Sequence, residues 1–123
     1  MKRILLVDDD VRLLNTTRKV LEATGEYEVM AEDSGRRAVA AAPAFKPDLV
    51  ILDVMMPGMD GGDVASAIHA HPATRGVPIL FLTSLVTRKE QGAHAGRSGS
   101  DRYLAKASDP QELCRCVAEL LLA

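Results

Sequence analysis

The strongest constraint on the fold is an apolar run, Leu49-Val50-Ile51-Leu52, that stops at Asp53 and enters the loop Val54-Met55-Met56-Pro57-Gly58-Met59-Asp60-Gly61. A continuous run, as opposed to an alternating one, suits a strand covered on both faces, the environment of a central strand in a parallel sheet. Ile4-Leu5-Leu6-Val7 has the same character and runs into Asp8-Asp9-Asp10. Two buried strands that finish in aspartate bring carboxylates to the carboxyl edge of one sheet, where open α/β folds bind ligands. Carboxylates converging there suit a hard divalent cation.

The remaining segments alternate between strand and helix signals. Val11 to Thr24 reads as a helix with Leu13, Val20 and Leu21 inward and Gly25 as its stop. Tyr27 to Ala31 reads as a second strand, and Ser34 as the cap of an alanine-rich helix from Gly35 to Ala42, ended by Pro43. Asp48 to Leu52 forms the third strand. Gly62 to His71 follows as a short helix, with Val64, Ala65 and Ile68 inward and Pro72 closing it. Pro78 to Leu82 is the fourth strand, stopping at Thr83-Ser84. Between Val86 and Arg97 a helix is expected to be short or mobile, because Gly92 and Gly96 lie within it, each costing roughly 1 kcal/mol relative to alanine, and Gly99 follows. Tyr103 to Ala105 is a brief fifth strand before Lys106. Asp109 caps a final helix with Pro110 at its first position and Leu113, Val117, Leu120 and Leu121 as its apolar stripe. The pattern is (βα)5, an α/β fold with a doubly wound parallel sheet.

At 123 residues the chain is expected to form one domain, 1–123. Its 15 Lys+Arg against 17 Asp+Glu give no basic face for nucleic acid or an anionic membrane, and with no Trp, two Tyr and two Phe it has few rings to stack on bases. Cys114 and Cys116 lie two apart on a helix, point to different faces and lack metal-ligand spacing, which fits a reducing, cytoplasmic setting. Met1-Lys2-Arg3 precedes too short an apolar run for a signal peptide or a membrane span. His69, His71 and His94 show no ligand spacing and read as surface residues.

Four strand ends therefore contribute polar residues to one edge: Asp8 and Asp9, Asp53, Thr83, and Lys106. Three adjacent carboxylates repel one another unless a cation neutralises them, while a lysine and a hydroxyl suit phosphoryl oxygens. Asp10 reads as a helix-start residue.

Taken in order, Val7-Asp8-Asp9-Asp10, the segment Pro47 to Gly61, Leu82-Thr83-Ser84 and Tyr103-Leu104-Ala105-Lys106 resemble the receiver domain of two-component response regulators, across essentially the whole chain. The resemblance implies a flavodoxin-like sheet with strand order 2-1-3-4-5. It further implies that Asp53 accepts a phosphoryl group from the phosphohistidine of a sensor histidine kinase or histidine phosphotransfer protein. Asp8, Asp9, Asp53 and the backbone carbonyl of Met55 would hold Mg²⁺ or Mn²⁺. Thr83 would bind a phosphoryl oxygen, Lys106 would pair with the phosphoryl group, and Tyr103 would be the aromatic switch residue. Leu14, Asn15 and Arg18, with Val11 off the main stripe of the first helix, are candidate contacts for the phosphodonor. A downstream protein partner is implied, with a homodimer through the fourth and fifth helices as a further mode of association, and neither direct nucleic-acid binding nor membrane insertion is expected.

The chain departs from the family pattern after Lys106, where Ala107 replaces a proline whose preceding bond is usually cis. A cis bond before a non-proline residue costs roughly 2.5–4 kcal/mol, so a trans bond is expected there. Ser84 stands beside the site where a small residue is usual. In the family the chain resembles, the positions two residues beyond Asp53 and Thr83 influence hydrolysis of the aspartyl phosphate. Met55 and Leu85 stand there and offer no group to orient an attacking water, which predicts slow self-dephosphorylation. Two other functions compete: a receiver-like interaction module that does not switch by phosphorylation, and a Mg²⁺-dependent phosphohydrolase. The second lacks an Asp two residues after Asp53 to act as acid and base.

Overall fold

Leu49–Asp53 and Ile79–Thr83 are buried along their whole length, as continuous apolar runs require when helices cover both faces of a parallel sheet. The computed structural model describes residues 1–83, 102–105 and 109–122. Its elements are β1 (Lys2–Val7), α1 (Val11–Glu22), β2 (Tyr27–Glu32), α2 (Gly35–Phe45), β3 (Leu49–Asp53), α3 (Gly61–Ala70), β4 (Ile79–Thr83), β5 (Arg102–Ala105) and α4 (Pro110–Leu122). The five strands pair in parallel in the order β2-β1-β3-β4-β5, the flavodoxin-like order. The expectations for the helix between Val86 and Arg97, and for Ser84, Leu85, His94, Lys106 and Ala107, lie outside the described residues.

Side chains alternate across the sheet and feed two cores. Ile4, Leu6, Ile51, Leu80 and Leu82 pack with Leu14 and Leu21 of α1 and Leu113, Val117 and Leu120 of α4. Leu5, Val7, Val50, Leu52 and Phe81 pack on the other face with Ala38 and Phe45 of α2 and Val64 and Ile68 of α3. No helix among the described residues is long and apolar enough to cross a membrane.

Tertiary packing moves several boundaries. The first helix ends at Glu22, two residues before the expected Thr24, and the chain then turns through Gly25 at φ +75°. Its buried residues are Leu14, Thr17 and Leu21, which corrects the assignment of Leu14 to an exposed docking face. At ~100° per residue, Leu13 and Val20 fall on the flank of that arc and are half-buried, while Asn15 stays exposed. The second helix does not stop at Pro43 but continues to Phe45. Proline removes a single donor in the last turns, and burial of Ala42 and Phe45 outweighs that loss. Termination falls to Lys46, left-handed at φ 55°, whose N–H reaches the Ala42 carbonyl at 2.9 Å. The third helix begins at Gly61, one residue early, because Asp60 and Asp63 form a reciprocal capping box. In α4, Cys116 joins the buried stripe and Leu121 is only partly buried.

Candidate functional site

Register sets the site. Val7 pairs with Leu52, so Asp8 and Asp53 stand level at the carboxyl ends of neighbouring strands. Asp53 pairs with Leu82, which puts Thr83 one residue beyond it on β4. The β1–β3 junction is where strand order reverses, the crevice in which doubly wound sheets bind ligands.

Asp8 and Asp53 are each 3% exposed and Thr83 is 2% exposed, whereas Asp9 is exposed. One carboxylate oxygen from each of Asp8, Asp9 and Asp53 lies within 4.8 Å of the others. Three carboxylate oxygens gathered this closely fit a hard divalent ion, and Asp8, Asp9 and Asp53 would hold Mg²⁺, which takes oxygen ligands. The all-oxygen donor set also suits Mn²⁺, and it does not suit a soft metal.

Backbone donors orient the two buried carboxylates. Asp8 Oδ1 accepts the Asp10 N–H at 2.9 Å, and Asp53 Oδ1 accepts the Met55 N–H at 3.2 Å. These turns supply part of what a buried charge needs to replace water. Asp10 Oδ1 in turn accepts the N–H groups of Arg12 and Leu13 at 3.1 and 3.2 Å, which starts α1 immediately beyond the cluster.

The loop after β3 is shaped by two glycines. Gly58 has φ +78°, a conformation side chains resist. Gly61 matters through contact: a Cβ there would lie 2.5 Å from the Asp53 carbonyl oxygen and 2.9 Å from Val54 Cα. Its N–H donates to the Val54 carbonyl at 3.1 Å, so α3 starts hard against the end of β3. Gly61 was legible only as part of a Pro/Gly loop, and its role in seating Asp53 needed the tertiary contact. Beside this loop is a cleft of ≈ 620 Å³ lined by Val54, Met55, Met56, Pro57, Asp60 and Gly62, with Met55 62% exposed.

On the other flank Thr83 pairs with Ala105 of β5, the residue before Lys106. Tyr103 is half-buried and its ring stacks on Phe81, centroids 4.9 Å apart and planes 19° from parallel. The structure thus brings Asp8, Asp9 and Asp53 together, sets Thr83 at the adjacent strand end, and holds Tyr103 one strand further out. His69 bonds through Nε2 to the Val77 carbonyl at 3.0 Å and His71 is exposed, so neither approaches the carboxylates as a ligand.

Comparison with known proteins agrees with this fold. A profile described as the response regulator receiver domain matches residues 4–118. The DNA-binding dual master transcriptional regulator RpaA of Synechocystis is 37% identical over 123 residues, covering 98% of this chain and 49% of that protein. Response regulator PleD of Caulobacter vibrioides is 40% identical over 111 residues, covering 87% of this chain and 23% of that protein. The chain therefore spans half or less of the length of these curated relatives. Among solved structures, a putative response regulator from Chloroflexus aurantiacus superposes with a TM-score of 0.83 at 36% identity, covering 99% of this chain and 98% of that one. Vibrio cholerae CheY4 superposes with a TM-score of 0.84 at 28% identity, each chain 98% covered. The chain belongs to the response regulator receiver domain family.

Proposed function

We propose that this receiver domain, taken as the single unit 1–123, is a phosphorylation-controlled switch with Asp53 as phosphoacceptor. The observation that carries the reading is the convergence of Asp53 with Asp8 and Asp9, their carboxylate oxygens within 4.8 Å, at the strand-order reversal. An Asp53 carboxylate oxygen attacks the phosphorus of a phosphohistidine on a sensor histidine kinase or phosphotransfer protein, and the P–N bond breaks. Such a transfer needs alignment and neutralised equatorial oxygens more than covalent help from the protein. Bound through Asp8, Asp9, Asp53 and the Met55 carbonyl, Mg²⁺ or Mn²⁺ would supply that neutralisation. The Thr83 hydroxyl donates to a phosphoryl oxygen, and the Lys106 ammonium pairs with the phosphoryl charge.

The added phosphoryl group then acts as a ligand that prefers one conformer of a pre-existing equilibrium. Thr83 moving toward it would change what Tyr103 meets on β5 and so alter the surface offered to a downstream protein or a second copy. Apolar Met55 and Leu85 leave an attacking water without an acceptor, and the phosphorylated state is correspondingly long-lived. The test is incubation with Mg²⁺ and acetyl phosphate followed by intact mass. The reading expects a gain of one phosphoryl mass, stable in acid and labile in base, and none in Asp53→Asn. Mg²⁺ binding without an adduct would instead favour an interaction module that does not switch by phosphorylation.

A further inference from the structure

We propose that Met55 is a peroxide-sensitive modification site whose oxidation shortens the lifetime of a phosphoryl group on Asp53. The inference rests on the phosphoacceptor reading and adds a mode of regulation to it.

The chain has five methionines, in three different environments. Met56 is 9% exposed, and Met30 and Met59 are partly buried against the core. Met1 and Met55 are the exposed pair, at 78% and 62%. Thioether oxidation follows access, so those two react first. Met1 precedes β1 at the amino edge of the sheet, whereas Asp53 lies at the carboxyl edge, which leaves Met55 as the exposed thioether beside the site. Its N–H is held by Asp53 Oδ1 at 3.2 Å, and it lines the cleft of ≈ 620 Å³ through which a small peroxide reaches the sulfur.

The reaction balances with hydrogen peroxide alone. A sulfur lone pair attacks one peroxide oxygen, the O–O bond breaks, and the departing hydroxide takes the proton of the transferred hydroxyl and leaves as water. The sulfur is oxidised by two electrons to the sulfoxide. The change at the site is from a soft, apolar group to a polar one carrying a strong acceptor oxygen and no donor. An acceptor two residues from Asp53 can orient a water for attack on the aspartyl phosphate, the function that the native thioether does not supply.

The test uses the whole chain treated with hydrogen peroxide, with oxidised methionines located by peptide mass. Treated and untreated protein are then phosphorylated with acetyl phosphate and Mg²⁺, the donor is removed, and decay of the adduct is followed. Met55 is expected to oxidise ahead of Met30, Met56 and Met59. Decay is expected to accelerate about threefold or more, well short of the ~10²-fold or greater effect of a positioned general base. Methionine sulfoxide reductase should restore the original rate, and Met55→Leu should decay equally with and without peroxide. Oxidation of Met55 no faster than Met56 or Met59, normal uptake with unchanged decay, or an acceleration that persists in Met55→Leu each overturns the proposal. Failure of untreated protein to take up a phosphoryl group overturns the phosphoacceptor reading, and this effect falls with it.

Discussion

Asp8 is buried beside Asp53, Asp9 is exposed at the rim of the same cluster, and Asp10 caps α1, so three identical side chains in a row meet three environments. The division follows from where β1 ends, because the strand's last pairing fixes which carboxylate faces the crevice and which meets the first N–H groups of the helix. Gly61 is as closely tied to the site, although it carries no side chain. A Cβ would press on the Asp53 carbonyl oxygen at 2.5 Å and on Val54 Cα at 2.9 Å, both backbone atoms that cannot swing aside. Gly61→Ala gains some helix propensity, but that gain is small at the first helical position and overpacking dominates. The expected loss is about 1–3 kcal/mol, read as a lower urea midpoint with unchanged slope. Phosphorylation by acetyl phosphate should slow as well, since the end of β3 must shift.

Two helices decide two further properties. Lys46 terminates α2 at φ 55°, where a side chain crowds its own carbonyl and glycine does not. Lys46→Gly should stabilise the protein by about 0.5–1 kcal/mol after glycine's extra chain entropy is deducted, seen as a raised melting temperature. The last helix is tied to β5 by Arg102, whose Nη1 reaches Glu119 Oε1 at 2.7 Å and Cys116 Sγ at 3.5 Å. Burial pushes the Cys116 thiol above its ordinary value, and the Arg102 hydrogen bond only partly opposes that. The neutral thiol is therefore favoured in the folded state, which holds its proton to higher pH than the unfolded chain. That contribution is complete below the unfolded thiol value near 8.5 and is lost as pH rises through the folded one. Burial raises Cys114 and Tyr27 in the same direction. Urea midpoints should fall from about pH 8.5 upward, and Cys116→Ala should flatten the slope without abolishing it.

At the scale of the whole molecule, the sheet collects three carboxylates within 4.8 Å, two of them nearly buried. A cation that binds this cluster in the folded state alone stabilises the protein by mass action, about 2.7 kcal/mol at a hundredfold excess over its Kd. The melting temperature should rise with Mg²⁺ concentration and respond less in Asp8→Asn, which keeps the acceptor for the Asp10 N–H but loses a charge. The alternation of strands and helices and the polar residues at strand ends were legible in the amino-acid order, because continuous apolar runs, caps and turn residues are properties of a few neighbouring positions. The same local signals misplaced the end of α2 at Pro43 and put Leu14 on an exposed face, since neither helix length nor the buried arc is settled within one element. The sequence by itself determined which side chains finish the strands and the class of fold that carries them. Tertiary structure alone decided that Val7 pairs with Leu52 and so sets Asp8 level with Asp53, and that Gly61 passes within contact of β3. Those relations join residues some forty-five or eight positions apart, and only the packing of sheet against helices fixes their register and distance.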